Sequence, residues 1–480
     1  MKKPGPCLTA IGCMSLMFGL MSTTIALFAL IKFDLIFVGV LNKHLALSPE
    51  SPNFHYWTDM EDHYDVRLAW YFFNLTNPRE FKSGEPPVLK EVGPFWYYVS
   101  VVRDDMQFHA NHTVTFRETH LFEFDEENVL SEETPITTVN VPLLIYLYRV
   151  RAEKKDGNKA VKAILEEFPE TESVVLVRKV RDLTYGGTDS LLMKAISEEI
   201  QGDSLRKILD ERSTGKFSFA IQRNMTESIV INMYTGIGDF RQRNRVHSID
   251  GQHVLKVWPI KHEECNSVDG SLGFFKPTGS KTSEFVVYMP EFCRKFKFRE
   301  SKKTSWRSHE VERFYLARDN FFDHRIDPKK ACYNGGFDGP KSGSTGVWPC
   351  RKGSTVMISL PHFLYRDQLE EVQVKGLTPR QDQHEYTMDI DPLTGLVVSL
   401  SGRLQSNVPV VRSNFVEAAA HLNPVMYPIF WQEYRIEADY EIRDMLRQMS
   451  GAPYYLQLFF MAIATIGSIL TIFGLFLWCQ

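Results

Sequence analysis

Two stretches without a charged residue, Leu8–Ile31 and Leu456–Trp478, bracket this chain and constrain it more than anything between them. Each exceeds the roughly 20 residues that carry a helix across the hydrocarbon core of a bilayer. A cleaved signal peptide is the rival for the first run, but its apolar core would be shorter and end at a small-residue site. A lipid-anchor signal is the rival for the second, and it would want small residues and a polar spacer where Tyr454 and Tyr455 stand. Both runs are therefore expected to span. Lys2 and Lys3 favour a cytoplasmic N-terminus, and an even number of spans returns the C-terminus to the same side. The division that follows is 1–7 cytoplasmic, 8–31 transmembrane, 32–455 outside, 456–478 transmembrane and 479–480 cytoplasmic.

The outside segment has the chemistry of an exported one. Four of the 7 cysteines, Cys265, Cys293, Cys332 and Cys350, fall in one third of it, without the short spacings of a zinc site. They read as two disulfides, and spacing alone leaves three pairings open. The sequons at Asn74, Asn111 and Asn224 all lie between the spans, as glycosylation requires. Cys7 and Cys479 flank the spans and are palmitoylation candidates, with unmodified thiols the alternative.

Composition excludes several classes. Apolar residues make up 44% of the chain, which is too many for a disordered one. The net charge of -4 lacks the basic footprint of a nucleic-acid binder. No G-x-S-x-G, H-E-x-x-H or P-loop occurs, and no metal or cofactor set is legible, so no enzyme is expected. Asp389 and Asp391 sit at a turn and read as structural.

Most of the outside segment reads as strands, including Asp65–Phe73, Thr113–Phe124 and Lys216–Ile221. Glu385–Ile390 and Leu396–Leu404 flank a Pro- and Gly-bearing turn, which predicts a hairpin. Helical spacing appears in Val141–Phe168 and Leu191–Leu209. Arg149, Arg151, Lys154, Lys155, Lys159 and Lys162 form a basic face there. It is either a solvated helix surface or an attractor for anionic particles. Ser15, Gly19 and Thr23, like Gly467 and Thr471, recur every four residues, which suits close packing of helices.

An ordered set of short motifs resembles the class B scavenger receptors. It begins with Tyr71-Phe-Phe-Asn-Leu-Thr-Asn-Pro-Arg-Glu-Phe81 and Pro87-Val-Leu-Lys-Glu-Val-Gly-Pro-Phe-Trp-Tyr97. It continues through Tyr234-Thr-Gly236, Ser359-Leu-Pro-His-Phe-Leu364, Asp389-Ile-Asp-Pro-Leu-Thr-Gly395 and Pro428-Ile-Phe-Trp431. The resemblance implies a membrane-anchored α+β protein. Its ectodomain would be an antiparallel β-barrel with a helical cap at about 141–209 and an apolar tunnel running toward the bilayer. By position in the family, Cys265 pairs with Cys332 and Cys293 with Cys350.

The implied function is a scavenger or lipid receptor without a cofactor. It would bind lipoprotein particles, apoptotic surfaces or other anionic ligands at the cap. It would pass sterols, fatty acids, carotenoids or phospholipids to the plasma membrane, with a homo-oligomer left open. The alternative is a lysosomal or trafficking receptor for a protein cargo. One departure bears on the ligand. Where some members place lysines that hold fatty acid carboxylates, this chain has Glu166-Glu-Phe-Pro-Glu-Thr-Glu172, which disfavours that route for a carboxylate.

Overall fold

The computed structural model describes residues 6–153, 173–190, 216–220, 229–258, 263–277, 283–322, 325–334, 343–347, 350, 355–366, 373–414 and 416–479. They form two units, taken separately below. One comprises Met1–Trp57, Gly236–Phe240 and Asp439–Gln480, and the other Thr58–Thr235 and Arg241–Ala438.

The first unit is built on two long helices, Pro6–Ile31 and Tyr440–Cys479. Ala10–Ile31 has mean hydropathy 2.0 and an 18-residue stretch of Tyr440–Trp478 has 2.2, so both helices are long and apolar enough to cross a membrane. They lie side by side along a seam of small residues. A methyl placed on Gly19 would come within 2.6 Å of the Gly467 carbonyl oxygen, and one on Gly474 within 2.8 Å of the Gly12 oxygen. The backbones touch there, and Met17, Phe18, Ile472 and Phe473 point outward. The second helix extends beyond the uncharged run Leu456–Trp478: it continues back through Gly451 and Pro453 to Tyr440. The physical reason is local: Ile442 and Leu446 bury an apolar face, and the Asp439 carboxylate accepts the Ile442 N–H at 2.8 Å.

The second unit is a curled sheet. Its strands are β1 (Tyr64–Leu75), β2 (Leu89–Phe108), β3 (Thr113–Phe124), β4 (Pro135–Val139), β5 (Val175–Lys179), β6 (Thr188–Asp189), β7 (Lys216–Phe217), β8 (Ile229–Tyr234) and β9 (Val246–Ile249). Then come β10 (Glu284–Met289), β11 (Arg294–Trp306), β12 (His309–Leu316), β13 (Ser344–Gly346), β14 (Met357–Ser359), β15 (Thr387–Ile390), β16 (Val397–Val410) and β17 (Val425–Ala438). Thirteen of them join in the order β10-β11-β12-β15-β16-β17-β1-β2-β3-β8-β9, with β14 paired to β16 and β13 to β14. All these ladders are antiparallel, with first and last strands β10 and β9. The segment Asp269–Leu272 spans the seam between them. Val246 N–H donates to Gly270 O at 2.9 Å, Ser271 N–H to Val286 O at 2.9 Å, and Tyr288 N–H to Ser271 O at 2.8 Å. Gly270 has φ +121°, and a Cβ there would lie 3.0 Å from Val286 O, so glycine lets the chains approach. The result is a nearly closed antiparallel barrel, as the resemblance implies.

The hairpin at Asp391–Gly395 forms as its turn residues dictate, between β15 and β16 and with Gly395 at φ +72°. Arg313 grips the Asp389 carboxylate with two hydrogen bonds of 2.7 and 2.6 Å. Asp391 accepts bonds from His309 and from the Thr394 N–H. Both aspartates are therefore structural. Of the predicted helix Val141–Phe168, the described part is Val141–Glu153, with Leu143, Leu144 and Leu147 buried. Within the expected cap, residues 173–190 include a strand, β5, paired with β4. The strand expected over Lys216–Ile221 is shorter, reduced to Lys216–Phe217.

Candidate functional site

Alternation along the strands sorts side chains between the two faces of the curled sheet. On β2 the row Tyr97, Val99, Val101, Arg103 is buried, and the residues between are more accessible. Its cross-strand partners on β3 are Phe124, Phe122, His120 and Glu118. On β1 the matching row is Val66, Leu68, Trp70, Phe72, and on β17 it is Ile436, Tyr434, Gln432, Phe430. One distance shows which way these rows face. In the sheet, β17 and β3 are separated by β1 and β2, about 14 Å along the surface. Yet the His120 and Tyr434 rings lie 6.4 Å apart, nearly parallel. Only inward-pointing side chains on a concave wall can meet in this way.

Much of the inner wall is aromatic. Trp70 lies against Phe430 at 4.7 Å and stacks with Phe72 at 5.7 Å. Phe219 packs on Phe430 at 4.7 Å, and Tyr185 stacks on Phe122 at 4.8 Å. The backbone of Phe219 bonds to that of Leu183 at 2.8 Å, so these two segments lie together over that stretch of wall. Farther along the rows, Phe274 sits under the Arg103 guanidinium at 4.7 Å. Between these stretches several inward side chains are only half-buried: Phe122, Gln432 and Tyr434, with Glu118 at 20% and His120 at 27% side-chain exposure.

A charged pair sits in this wall. Arg103 has a fully buried side chain and donates from Nε to Glu118 Oε2 at 2.8 Å. His120 Nε2 donates to the other Glu118 oxygen at 3.1 Å. Burial pushes the Glu118 carboxyl up, but Arg103 and His120 outweigh it and bring it down to about 2. The Tyr434 hydroxyl is raised, by burial first and then by the Glu118 charge, so it stays protonated.

The opposite face of the same strands holds a histidine cluster. Tyr71 stacks on Trp431 at 3.7 Å, and Trp431 Nε1 donates to Glu91 at 2.6 Å. His362 Nε2 donates to the same Glu91 oxygen at 2.7 Å, and its ring stacks on His384 at 4.3 Å. Donor atoms of Glu91, His362 and His384 fall within 4.8 Å of one another, close enough for a metal. The hydrogen bonds argue otherwise. His362 Nδ1 accepts the Thr378 N–H and His384 Nδ1 accepts the Arg380 N–H, each at 3.0 Å. Each neutral ring then carries its proton on Nε2, with no lone pair left for a cation. The cluster is a latch on the Thr378–His384 segment.

The latch is acid-sensitive. Burial, then the neighbouring His362, lowers His384 from 6.5 to about 4. A histidine lowered in the folded state adds no penalty above pH 6.5 and costs stability as pH falls from 6.5 through 4. Thermal melting of the full chain between pH 7 and pH 4 should show a loss on the order of 1–2 kcal/mol, allowing for solvent screening. The loss should be smaller in His384→Asn. Equal acid sensitivity in the two proteins would assign it elsewhere.

The sequence-predicted residues are dispersed. Arg149 is half-buried and Arg151 exposed on the helix Val141–Glu153, whereas Lys154, Lys155, Lys159 and Lys162 lie outside the described residues. Cys265 is bonded to Cys332 and Cys293 to Cys350. Asn74 is half-buried and its carboxamide oxygen accepts the Thr137 N–H at 2.8 Å. Asn111 is exposed, beside a cleft of about 560 Å³ lined by His109, Asn232, His247 and His253, and Asn224 lies outside the described residues. Cys7 and Cys479 fall at the same end of the helix pair, since Gly12 packs against Leu477. Sequence reasoning missed Arg103, Glu118, His120, Gln432 and Tyr434. The available signal was the alternation itself: each interrupts an apolar row.

Comparison with known proteins decides the family. The model of the CD36 family matches residues 11–478. The chain belongs to the CD36 family. Among its relatives are the proteins named sensory neuron membrane protein 1 of Helicoverpa assulta, Bombyx mori and Plutella xylostella. The first is 27% identical over 448 residues, covering 89% of this chain and 84% of the relative. The second is 26% identical over 442 residues, covering 89% and 83%. The third is 27% identical over 435 residues, covering 88% and 81%. This CD36 family member is thus a membrane protein of the class B scavenger receptor type, with an apolar helix at each terminus.

Proposed function

We propose that the chain is a non-enzymatic receptor that takes up water-insoluble molecules outside the cell and passes them along the barrel interior to the plasma membrane. The observation that supports this reading most is the inner wall. Aromatic side chains from non-adjacent strands face one another there, yet Phe122, Gln432 and Tyr434 keep part of their surface accessible. A fully packed core would leave them none. Each CH₂ withdrawn from water gains about 0.8 kcal/mol, so an apolar molecule enters such a space without a nucleotide or a covalent step. The basic stretch from Arg149 to Lys162 would draw anionic particles by long-range attraction. Glycans on Asn74, Asn111 and Asn224 would lie outside, and acyl chains on Cys7 and Cys479 at the cytoplasmic face.

The test is uptake of a fluorescent sterol ester by cells expressing the full chain. Phe122→Glu places a charge on the inner wall and should cut uptake at least about fivefold at equal surface expression. Replacing Lys154, Lys155, Lys159 and Lys162 by glutamate should weaken particle capture without changing transfer of free sterol ester. Uptake no greater than in mock-transfected cells would end the proposal.

A further inference from the structure

The inner wall is not uniformly apolar, and its polar members are arranged for one kind of guest. His120 of β3 and Tyr434 of β17 meet on the concave side, their rings facing each other at 6.4 Å, and Gln432 stands two residues from Tyr434 in the same inward row of β17. The Glu118 carboxylate takes the proton-bearing Nε2 of His120, so Nδ1 presents a lone pair. Among the described residues nothing bonds to that Nδ1, to the Gln432 carboxamide or to the Tyr434 hydroxyl, and all three side chains are half-buried rather than sealed. Polar groups inside a protein ordinarily find partners. Three inward-facing groups without one, still accessible, leave donors and an acceptor open to a guest.

Charge narrows the choice of guest. Arg103 and Glu118 form a neutral pair with direct hydrogen bonding, so this pair offers a guest beside His120 no net charge to hold an anion. A carboxylate would face Glu118, and a bare hydrocarbon would strand the open groups. A hydroxyl satisfies both sides, donating to His120 Nδ1 and accepting from Tyr434 Oη. A carbonyl accepts from Tyr434 Oη or from the Gln432 amide.

We infer that His120, Gln432 and Tyr434 form a polar station that selects long apolar ligands bearing one neutral oxygen function, a hydroxyl or a carbonyl, over hydrocarbons and carboxylates of equal length. The inference rests on the uptake reading above and names the ligand class for the same space.

Photolabelling tests it. The full chain in lipid vesicles is labelled with a diazirine-bearing hexadecanol, and hexadecanol, hexadecane and palmitate are used as competitors. Hexadecanol should compete about tenfold better than either of the others, the effect of one or two hydrogen bonds made in an apolar site. Tyr434→Phe removes a single oxygen and should reduce that advantage to less than about threefold. Gln432→Leu should weaken competition by the ester methyl palmitate while sparing the alcohol. An unchanged tenfold preference in Tyr434→Phe, or equal competition by alcohol and hydrocarbon in the unmodified chain, overturns the station and leaves the uptake reading standing. Failure of every apolar competitor to block labelling overturns both.

Discussion

Arg103→Leu should destabilise the barrel by about 3–5 kcal/mol, the cost of leaving a buried charge without its partner. The Arg103 side chain is fully buried and Glu118 keeps only 20% of its surface. Removing the guanidinium leaves the carboxylate with His120 alone. In the unmodified protein Glu118 is depressed from 4.5 to about 2. The stability it contributes is present above pH 4.5 and lost as pH falls through 2. In Arg103→Leu that depression should shrink, and the remaining acid loss should move toward pH 4.5. Chemical denaturation of the full chain in detergent across this range measures both effects. The double replacement Arg103→Leu with Glu118→Leu should recover most of the loss, since an apolar pair strands no charge. A double variant no better than the single one would show that the pair matters through its shape.

Removing the Cys265–Cys332 bond should cost about 4 kcal/mol. The bond closes a loop of 67 residues, and constraint of the unfolded chain grows slowly with loop length. Local packing depends on the bond as well. Trp258 and Tyr333 meet edge to face at 4.8 Å beside it. Tyr333 in turn covers the Arg294 guanidinium at 3.7 Å, a buried cation that desolvation lowers to about 10. Serine at both cysteines should lower the melting temperature and sharply reduce surface expression. A variant that reaches the surface at the normal level with unchanged melting would refute this.

These two predictions mark the boundary of what the residues disclose. The spans were legible because length and lack of charge suffice to define them. The 391–395 hairpin was legible because proline and glycine act locally. The barrel itself came from resemblance, since closing a sheet depends on which distant strands pair, and alternation says nothing of partners. For the same reason Arg103 could not be matched to Glu118 before the β2–β3 register was known. The C-terminal helix outruns its uncharged stretch because the burial of Ile442 and Leu446 holds it through Gly451 and Pro453, which weigh as breakers in isolation. His362 reads alone as a packing residue. Its place in a proton-locked latch with Glu91 and His384 requires three segments that only the fold assembles.

The seam between the two long helices has a consequence for how the anchor is made. Where Gly12, Gly19, Gly467 and Gly474 let main chain rest on main chain, neither helix owns a complete surface. Taken singly, each would show lipid tails a row of notches too narrow to fill. The anchor is therefore a jointly made post, and either half inserted alone would be left seeking a second helix.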